Sequence, residues 1–264
     1  MTSSEAQRRG LRIATYNVHS CVGTDGRHDP DRVARVIAEL DADVVAIQEF
    51  SYPADVAIET RTPVVLPKLE RYECALGPTL LRQSNRYGNV ILTRHPIREL
   101  ERIDLSMDRR EPRGALAVTI DADGVELHVL ATHLGLKLGE RRLQVRRILR
   151  HIESLQSGFF AVLGDFNDWL PGRSVVHVLD EKFGIARRPR TFPGSWPILP
   201  LDRIWVQPGA SLRSIDAWRT PLSRRASDHL PLVAVLDPPP GAVQASGAEI
   251  VAAGFGKGAP RNGS

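Results

Sequence analysis

The chain has 264 residues, of which 42% are hydrophobic and 25% charged, and its formal net charge is +4. This composition is ordinary for a globular protein, and no apolar stretch approaches the about 20 residues of a membrane-spanning helix. The two cysteines, Cys21 and Cys74, form neither a CxxC pair nor a disulfide framework, which is typical of a reduced cytoplasmic protein. The basic residues are 31 Arg and 4 Lys, and they favour anionic partners without selecting one.

The chain divides into a central domain and two polar or flexible ends. Residues 1–10 predict a flexible leader that lacks the apolar region of a secretory signal. Residues 238–264 are rich in Pro, Gly and Ala and predict a disordered tail. Residues 11–237 contain no linker or repeat, so we expect one domain there, acting as a cytoplasmic monomer.

Ten short segments rich in Val, Ile and Leu predict strands. In chain order they are Leu11–Asn17, Asp43–Ile47, Tyr72–Leu76, Gly88–Thr93, Ala115–Ile120, Glu126–Thr132, Phe159–Leu163, Arg203–Val206, Leu212–Trp218 and Leu232–Leu236. The sequence DADG at Asp121–Gly124 predicts a hairpin. Amphipathic helices are predicted over Asp29–Leu40 and Leu138–Leu155. This order does not fit regular β-α alternation, so we expect two mixed sheets packed face to face with helices outside.

Polar residues follow or end several of these apolar runs. They are Asn17 in ATYNVHS, Glu49 in VVAIQEF, His133 in VLATHLG, Asp165 and Asn167 in AVLGDFND, and Asp228 and His229 in ASDHLP. A polar group at the end of a buried strand lies at the rim of its sheet, so these side chains are expected to converge on one acidic pocket with two histidines. Such a pocket suits a hard divalent cation and a phosphate ester.

The motifs GDFND and SDHLP carry the most information. Gly164 allows a sharp turn after a buried strand, and Asp165 and Asn167 then offer a carboxylate and an amide to the same side. Asp228 and His229 are adjacent, so in extended backbone they point to opposite faces and are not expected to bond each other. His229 therefore needs another carboxylate to orient it, and Asp202 in LPLDRIWV is the predicted partner.

Four further residues are weaker candidates. Glu49 is costly to bury without a cation, which can be an arginine or a metal. His133 can donate a hydrogen bond to a phosphoryl oxygen. Arg113 in EPRGAL can bind phosphate or form a surface ion pair, and Asn89 in RYGNVILTR can bind substrate or close a turn. The chain lacks HExxH, GxSxG, P-loop and GxGxxG motifs, which disfavours zinc hydrolase, α/β-hydrolase, NTPase and Rossmann functions.

Taken in order, ATYNVHS, AIQEF, YGNVILTRHPI, RGAL, ATHLG, GDFND, LDRIWV and SDHLP resemble the endonuclease/exonuclease/phosphatase (DNase I-like) superfamily over about Leu11 to Leu236. The resemblance implies a four-layer α/β sandwich and a phosphoesterase that uses Mg²⁺, with Mn²⁺ as the alternative. The metal residues it implies are Glu49, Asn17 and Asp228. The catalytic residues it implies are His229, Asp202, His133, Asp165 and Asn167, and the substrate-binding set that we predict is Arg113, Asn89 and His19.

The resemblance also separates branches of the superfamily. His133 matches the sphingomyelinase and DNase I branches, because abasic-site endonucleases use a tyrosine in that role. His19 stands where many nucleases have an acidic residue, which departs from the nuclease pattern. The reaction expected is hydrolysis of a phosphodiester or phosphomonoester by activated water, with nucleic acid and anionic lipid both open as substrates. A non-catalytic binding module of the same fold is the alternative from a different class.

Overall fold

The computed structural model describes residues 10–61, 66, 69–155, 158–169, 174–184 and 187–239. The predicted leader, apart from residue 10, and the predicted tail from residue 240 lie outside the described residues. The strands are β1 (Leu11–Asn17), β2 (Val44–Pro53), β3 (Glu73–Arg82), β4 (Asn85–Thr93), β5 (Ile97–Asp104), β6 (Gly114–Ala122), β7 (Val125–His133), β8 (Phe159–Asp165), β9 (Asp202–Gln207), β10 (Leu212–Ala217) and β11 (Leu232–Leu236). The helices are α1 (Pro30–Leu40), α2 (Leu138–Ser154), α3 (His177–Phe183) and α4 (Pro221–Ala226).

The strands form two mixed sheets, as the sequence predicts. The first sheet has the order β10-β11-β1-β2-β4-β3 and the second has the order β5-β6-β7-β8-β9. In the first sheet β1 and β2 run parallel, and in the second β7 and β8 run parallel, whereas their other neighbours are antiparallel. The predicted hairpin is present, because Ala122 pairs with Val125 across Asp123 and Gly124.

Three apolar clusters define four layers. The middle cluster joins the inner faces of the two sheets and includes Ile13 of β1 and Leu163 of β8. A second cluster packs α1 and α4 against the outer face of the first sheet, and a third packs α2 and α3 against the outer face of the second. The predicted α/β sandwich is therefore confirmed, and both faces of the central strands are buried, which explains their nearly continuous apolar runs.

Both predicted helices form, and local sequence explains their boundaries. Asp29 caps α1 by accepting from the backbone N–H of Arg32 at 2.8 Å, and Pro30 occupies the first turn. Asp41 ends that helix in the left-handed conformation. No helix within the described ranges combines the length and the apolar character needed to cross a membrane.

The sequence patterns missed β5, α3 and α4. Strand β5 reads IRELERID and lies at the edge of the second sheet, where charged side chains are favoured and apolar alternation is weak. Helices α3 and α4 have only 7 and 6 residues, too few for a clear apolar period. Strand β2 continues to Pro53, beyond its predicted end at Ile47, because a register shift near Glu49 lets the pairing with β4 resume.

One edge of the sandwich collects the ends of the central strands, and we call it the polar edge. In the first sheet it contains the carboxyl-terminal ends of β1 and β2 and the beginnings of β4 and β11. In the second it contains the ends of β7 and β8 and the beginnings of β6 and β9. The loops that leave or enter these strand ends belong to the same edge.

Candidate functional site

Asn17 joins the two sheets at the polar edge. Its side-chain amide donates to Glu49 Oε1 at 2.9 Å and to Asp165 Oδ2 at 3.0 Å. Asn17 ends β1 and Glu49 lies at a bulge within β2 of the first sheet, whereas Asp165 ends β8 of the second. The structure thus brings these three predicted site residues into direct contact across the seam between the sheets. Together with His133, Asn167, Asp202 and His229 they form what we call the polar cluster.

Glu49 reaches the cluster because its backbone leaves regular strand geometry. Its φ of 57° is left-handed, and the β2–β4 register shifts between Ile47 and Phe50. Such a bulge redirects a side chain that would otherwise alternate into a sheet face. The carboxylate accepts a hydrogen bond from the hydroxyl of Tyr87, and burial together with the charge of Glu49 raises the pKa of Tyr87 well above its ordinary value. Sequence reasoning missed Tyr87, for which the only signal was its place in RYGNV.

Asp165 lies at the centre of the cluster. Its Oδ2 is 3.6 Å from His133 Nε2 and 3.7 Å from His229 Nε2, and its Oδ1 accepts from the backbone N–H of Asn167 at 2.9 Å. The preceding Gly164 has a φ of +150°, and a Cβ there would lie 1.9 Å from the carbonyl oxygen of Thr132. Only glycine therefore allows β8 to run this close to β7 at the point where it delivers Asp165.

His229 and Asp202 form the predicted pair. Asp202 Oδ2 lies 2.8 Å from His229 Nδ1, and both residues are buried. Burial disfavours the imidazolium, but the carboxylates of Asp202 and Asp165 outweigh it and raise the pKa of His229 to about 10. His229 is therefore a cation at neutral pH, with Nε2–H directed toward Asp165.

His133 has the opposite electrostatic character. Burial lowers its pKa to about 3, so the ring is neutral at physiological pH. Arg113 Nη1 lies 3.1 Å from His133 Nδ1, and a guanidinium can only donate, so Nδ1 accepts from Arg113. The guanidinium of Arg113 also forms an ion pair with Glu111 at 3.2 Å. Arg113 thus orients His133, and its predicted contact with phosphate stays a prediction.

Asn167 completes the second-sheet side of the cluster. Its side-chain amide donates to the backbone carbonyl of Leu134 at 2.9 Å and lies 3.1 Å from His133 Nε2. The residue adopts a left-handed φ of 49°, which asparagine tolerates better than most residues. Asn167 is therefore held beside both Asp165 and His133 by local geometry.

Three predicted residues lie outside this central group. Asp228 faces away from His229, as the alternation of extended backbone requires; its carboxylate contacts Ser227 Oγ at 3.3 Å and lies 3.9 Å from His19 Nδ1. His19 is half-exposed beside it. Asn89 is buried and donates to the carbonyl of Gly114 at 2.9 Å, which holds the start of β6. The metal role of Asp228 and the substrate roles of His19 and Asn89 remain predictions.

Asp168, the last residue of GDFND, fixes the loop that carries Asn167. Its carboxylate accepts from Ser174 Oγ at 2.6 Å and from the backbone of Val175 at 3.1 Å, and it pairs with the buried Arg141 at 3.5 Å. Sequence reasoning did not single out Asp168, because its partners come from α2 and from a distant part of the same loop.

Replacing Asp168 with alanine is expected to lower the free energy of unfolding by about 3–5 kcal/mol, because the charge of Arg141 would be left unpaired in the interior. Urea unfolding followed by circular dichroism measures this change. The control is Asp216→Ala, which breaks the exposed ion pair with Arg187 and is expected to cost less than about 1 kcal/mol. Equal effects of the two substitutions would contradict this structural role.

The oxygen atoms of the cluster fit a divalent cation. Glu49 and Asp165 both accept from the amide of Asn17, and His133 Nε2 lies 3.9 Å from Glu49 Oε1 and 3.6 Å from Asp165 Oδ2. Asp202 Oδ1 is buried without a hydrogen-bond partner. Ligand atoms of Asp165, Asp202 and His229 also lie within 4.8 Å of one another.

Comparison with known proteins agrees with this architecture. Residues 14–229 match the Endonuclease/Exonuclease/phosphatase family. The chain is 31% identical over 247 residues to YbhP of Escherichia coli (strain K12), covering 87% of this chain and 97% of YbhP. An endonuclease/exonuclease/phosphatase structure from Beutenbergia cavernae superposes with a TM-score of 0.70 at 24% identity, covering 87% of this chain and 72% of that one.

Two more distant structures share the fold. The mannosyl-6-phosphatase Bt3783 of Bacteroides thetaiotaomicron has a TM-score of 0.66 at 18% identity, covering 86% of this chain and 99% of that one. TDP2 from Caenorhabditis elegans has a TM-score of 0.62 at 16% identity, covering 89% and 76% of the two chains. The two packed sheets are those of a DNase I-like α/β sandwich. The chain belongs to the endonuclease/exonuclease/phosphatase family.

Proposed function

We propose that this protein is a Mg²⁺-dependent phosphoesterase, with Mn²⁺ able to replace Mg²⁺, that hydrolyses a phosphate ester by in-line attack of water. The observation that carries the proposal is the position of Asp165 Oδ2, 3.6 Å and 3.7 Å from two imidazole nitrogens and 3.0 Å from the amide that also binds Glu49. A water molecule and a phosphoryl group beside this oxygen would meet a proton acceptor and several hydrogen-bond donors together.

Glu49 and Asn17 would hold the cation, with Asp228 as the further predicted ligand. When bound, the ion polarises a phosphoryl oxygen and offsets the charge that develops on the phosphate. Asn17 would present its Oδ1 after rotation of the amide, since Nδ2 now faces both carboxylates and Oδ1 accepts from the backbone of His19.

The two histidines have different roles in this mechanism. His229 is already protonated, so it cannot take the proton of the attacking water, and Asp165 is the residue that accepts it. The imidazolium of His229 donates to a phosphoryl oxygen or to the leaving group. Neutral His133 is held by Arg113 at Nδ1, and its Nε2 would act as a hydrogen-bond donor to the phosphate once the amide of Asn167 turns from it toward the same phosphate.

The family context supports a hydrolase and leaves several substrate classes. Mannosyl-6-phosphatase Bt3783 and TDP2 are structural neighbours of this chain. Their sequence identities to it are 18% and 16%, so these comparisons support a shared fold and do not select a substrate. Hydrolysis of nucleic acid and of a phospholipid headgroup are therefore both retained as forms of this activity. The low cysteine content of the chain, with Cys21 and Cys74 both buried, supports the further proposal that the protein acts in the cytoplasm, and we take the active unit to be the monomer.

Metal removal tests the proposal. Hydrolysis of bis(p-nitrophenyl) phosphate or p-nitrophenyl phosphate is expected in Mg²⁺, to disappear in EDTA, and to return when Mg²⁺ is added. Glu49→Gln is expected to lower the rate about 10²- to 10³-fold, since it removes the charge that holds the cation, and to weaken Mg²⁺ binding in calorimetry. Glu153→Gln, on the exposed surface of α2, is the matched control.

Full activity in EDTA would refute the metal dependence. Absence of both cation binding and turnover over a panel of DNA, RNA, phospholipid and soluble phosphoesters would instead favour the non-catalytic binding module.

A further inference from the structure

Within the described part of the chain, most of the exposed large apolar side chains lie at the polar edge. Among the described residues, six such side chains are at least 38% exposed: Leu81, Leu136, Leu143, Trp169, Trp196 and Ile198. Trp196 is the most exposed, at 77%. Concentrated apolar exposure on a folded surface indicates a binding partner that covers it.

Five of these six residues lie in segments of the polar edge. Leu81 lies at the hairpin between β3 and β4, at the same end as the carboxyl terminus of β2. Leu136 follows the end of β7, and Trp169 follows the end of β8. Trp196 and Ile198 lie in the loop between β8 and β9. The sixth, Leu143, lies on α2 and belongs to the outer layer.

The segment 192–199, which we call the Trp196 loop, is firmly attached to the catalytic residues. The ring of Phe192 lies 4.9 Å from that of His229, and the N–H of Gly194 donates to the carbonyl of Asp228. Arg224 Nη1 donates to the carbonyl of Ser195 at 2.8 Å. The loop closes through the Phe192–Leu199 bridge, so Trp196 is presented outward from a fixed base.

The hairpin that carries Leu81 is attached to the other histidine. Arg82 pairs with Glu111 at 3.1 Å, Glu111 pairs with Arg113 at 3.2 Å, and Arg113 contacts His133 at 3.1 Å. Leu81 and the Trp196 loop therefore lie on the β4 side and the β11 side of the polar cluster, respectively. A flat partner that contacts both would cover the entrance between them.

The charges of this edge complement an anionic partner. Exposed arginines lie in connections of the same edge; they are Arg109 and Arg110 between β5 and β6, Arg190 between β8 and β9, and Arg219 between β10 and β11. Apolar side chains set among arginines are the pattern of a protein surface that inserts into the boundary between the headgroups and acyl chains of an anionic bilayer.

The aliphatic members of the set distinguish a bilayer from single-stranded nucleic acid. Nucleic-acid grooves combine basic residues with aromatic rings on which bases stack. Here Leu81, Leu136 and Ile198 offer no stacking surface, and each is more than half exposed. Acyl chains, by contrast, accept leucine, isoleucine and tryptophan alike.

We propose that the polar edge docks on an anionic phospholipid membrane, with Trp196, Ile198 and Leu81 inserted on opposite sides of the catalytic entrance. The proposal rests on the proposed function for its consequence, which is that the hydrolysed phosphate belongs to a membrane lipid. Docking itself needs neither the cation nor turnover.

Vesicle sedimentation tests docking separately from catalysis. The full chain is mixed, in EDTA, with vesicles of phosphatidylcholine alone or of phosphatidylcholine with an equal part of phosphatidylglycerol. Binding to the anionic vesicles is expected to fall about tenfold in Trp196→Ser with Ile198→Ser, because two apolar anchors are lost. Leu81→Ser is expected to weaken it by a smaller factor. Arg219→Glu is expected to reduce the preference for anionic vesicles.

Leu143→Ser is the matched control, since Leu143 is 40% exposed but lies away from the polar edge, and it is expected to bind as the wild type does. Thermal unfolding of each variant checks that the fold persists. Docking is overturned by absence of binding to anionic vesicles or by equal binding of the Trp196 loop variant and wild type. Oligonucleotide binding that depends on Trp196, without vesicle binding, also overturns it.

A separate assay in Mg²⁺ measures phosphate release from the same vesicles and turnover of bis(p-nitrophenyl) phosphate. Vesicle binding without turnover of any phosphoester would refute the proposed function and leave docking intact. Turnover of the soluble ester without vesicle binding would refute docking and leave the proposed function intact.

Discussion

Asp165→Asn is expected to lower kcat for phosphoester hydrolysis by about 10²- to 10⁴-fold, the range typical of a lost general base. Asparagine has nearly the same shape, so its Oδ1 can still accept from the backbone of Asn167. It cannot take a proton from water, and it removes the negative charge that faces both imidazoles at 3.6 Å and 3.7 Å. The measurement is steady-state hydrolysis of bis(p-nitrophenyl) phosphate at saturating Mg²⁺.

Asp123→Asn is the control for this substitution. Asp123 is exposed at the β6–β7 turn with a φ of 55°, a conformation that asparagine adopts as readily as aspartate. The kcat of the Asp123→Asn variant is expected to match that of the wild type. If Asp165→Asn retains wild-type kcat, Asp165 does not accept the proton, and the mechanism must assign that step to another group.

The sequence predicts the sheets well because the central strands are buried on both faces. Residues Leu11–Asn17 and Leu232–Leu236 were predicted with their observed bounds, since their apolar runs begin and end sharply. The edge strand Ile97–Asp104 was missed, because a strand with one solvated face and charged side chains has no such run. For the strands, prediction from this sequence is therefore limited by burial more than by length, whereas the two short helices were missed because of their length.

The residues of the candidate site also divide into those that the sequence predicts and those that it does not. Asn17 and Asp165 could be proposed because each ends an apolar strand, and the structure places them 3.0 Å apart although they are 148 positions distant in the chain. Contacts that depend on the pairing register between strands could not be predicted from the sequence. Tyr87 reaches Glu49 only because β2 bulges, and Arg113 reaches His133 only because β6 and β7 pair with Ala115 opposite Thr132.

Backbone conformation adds evidence that no sequence pattern supplied. Non-glycine residues with positive φ include Glu49, Asn167 and the consecutive residues 19–21. Glu49 and Asn167 belong to the central group and His19 lies beside it, whereas Asp41, Gln83, Arg109 and Asp123 adopt positive φ in turns and caps elsewhere. Each such conformation typically costs about 1–3 kcal/mol, and at Glu49 and Asn167 the hydrogen bonds of the site maintain it.

Asp202→Asn is expected to lower kcat about 10²- to 10⁴-fold while leaving the fold in place. The substitution removes the carboxylate charge that orients His229 and stabilises its protonated form. In the wild type the raised pKa of His229, about 10, means that the folded protein holds this proton more tightly than the unfolded chain. That contribution to stability is complete below the ordinary histidine pKa and is lost as pH rises through about 10.

Removing the Asp202 carboxylate lets burial dominate, so the pKa of His229 is expected to fall toward neutrality or below. Histidine ¹⁵N NMR in EDTA measures this directly, and His151, which lies 3.6 Å from Glu101 on the far side of the second sheet, is an internal reference whose signals the substitution is expected to leave unchanged. An unchanged pKa of His229 would show that the remaining carboxylates, Asp165 and Asp228, sustain the imidazolium. In that case a fall in kcat would reflect lost orientation of the ring, because the charge of His229 would be the same in both proteins.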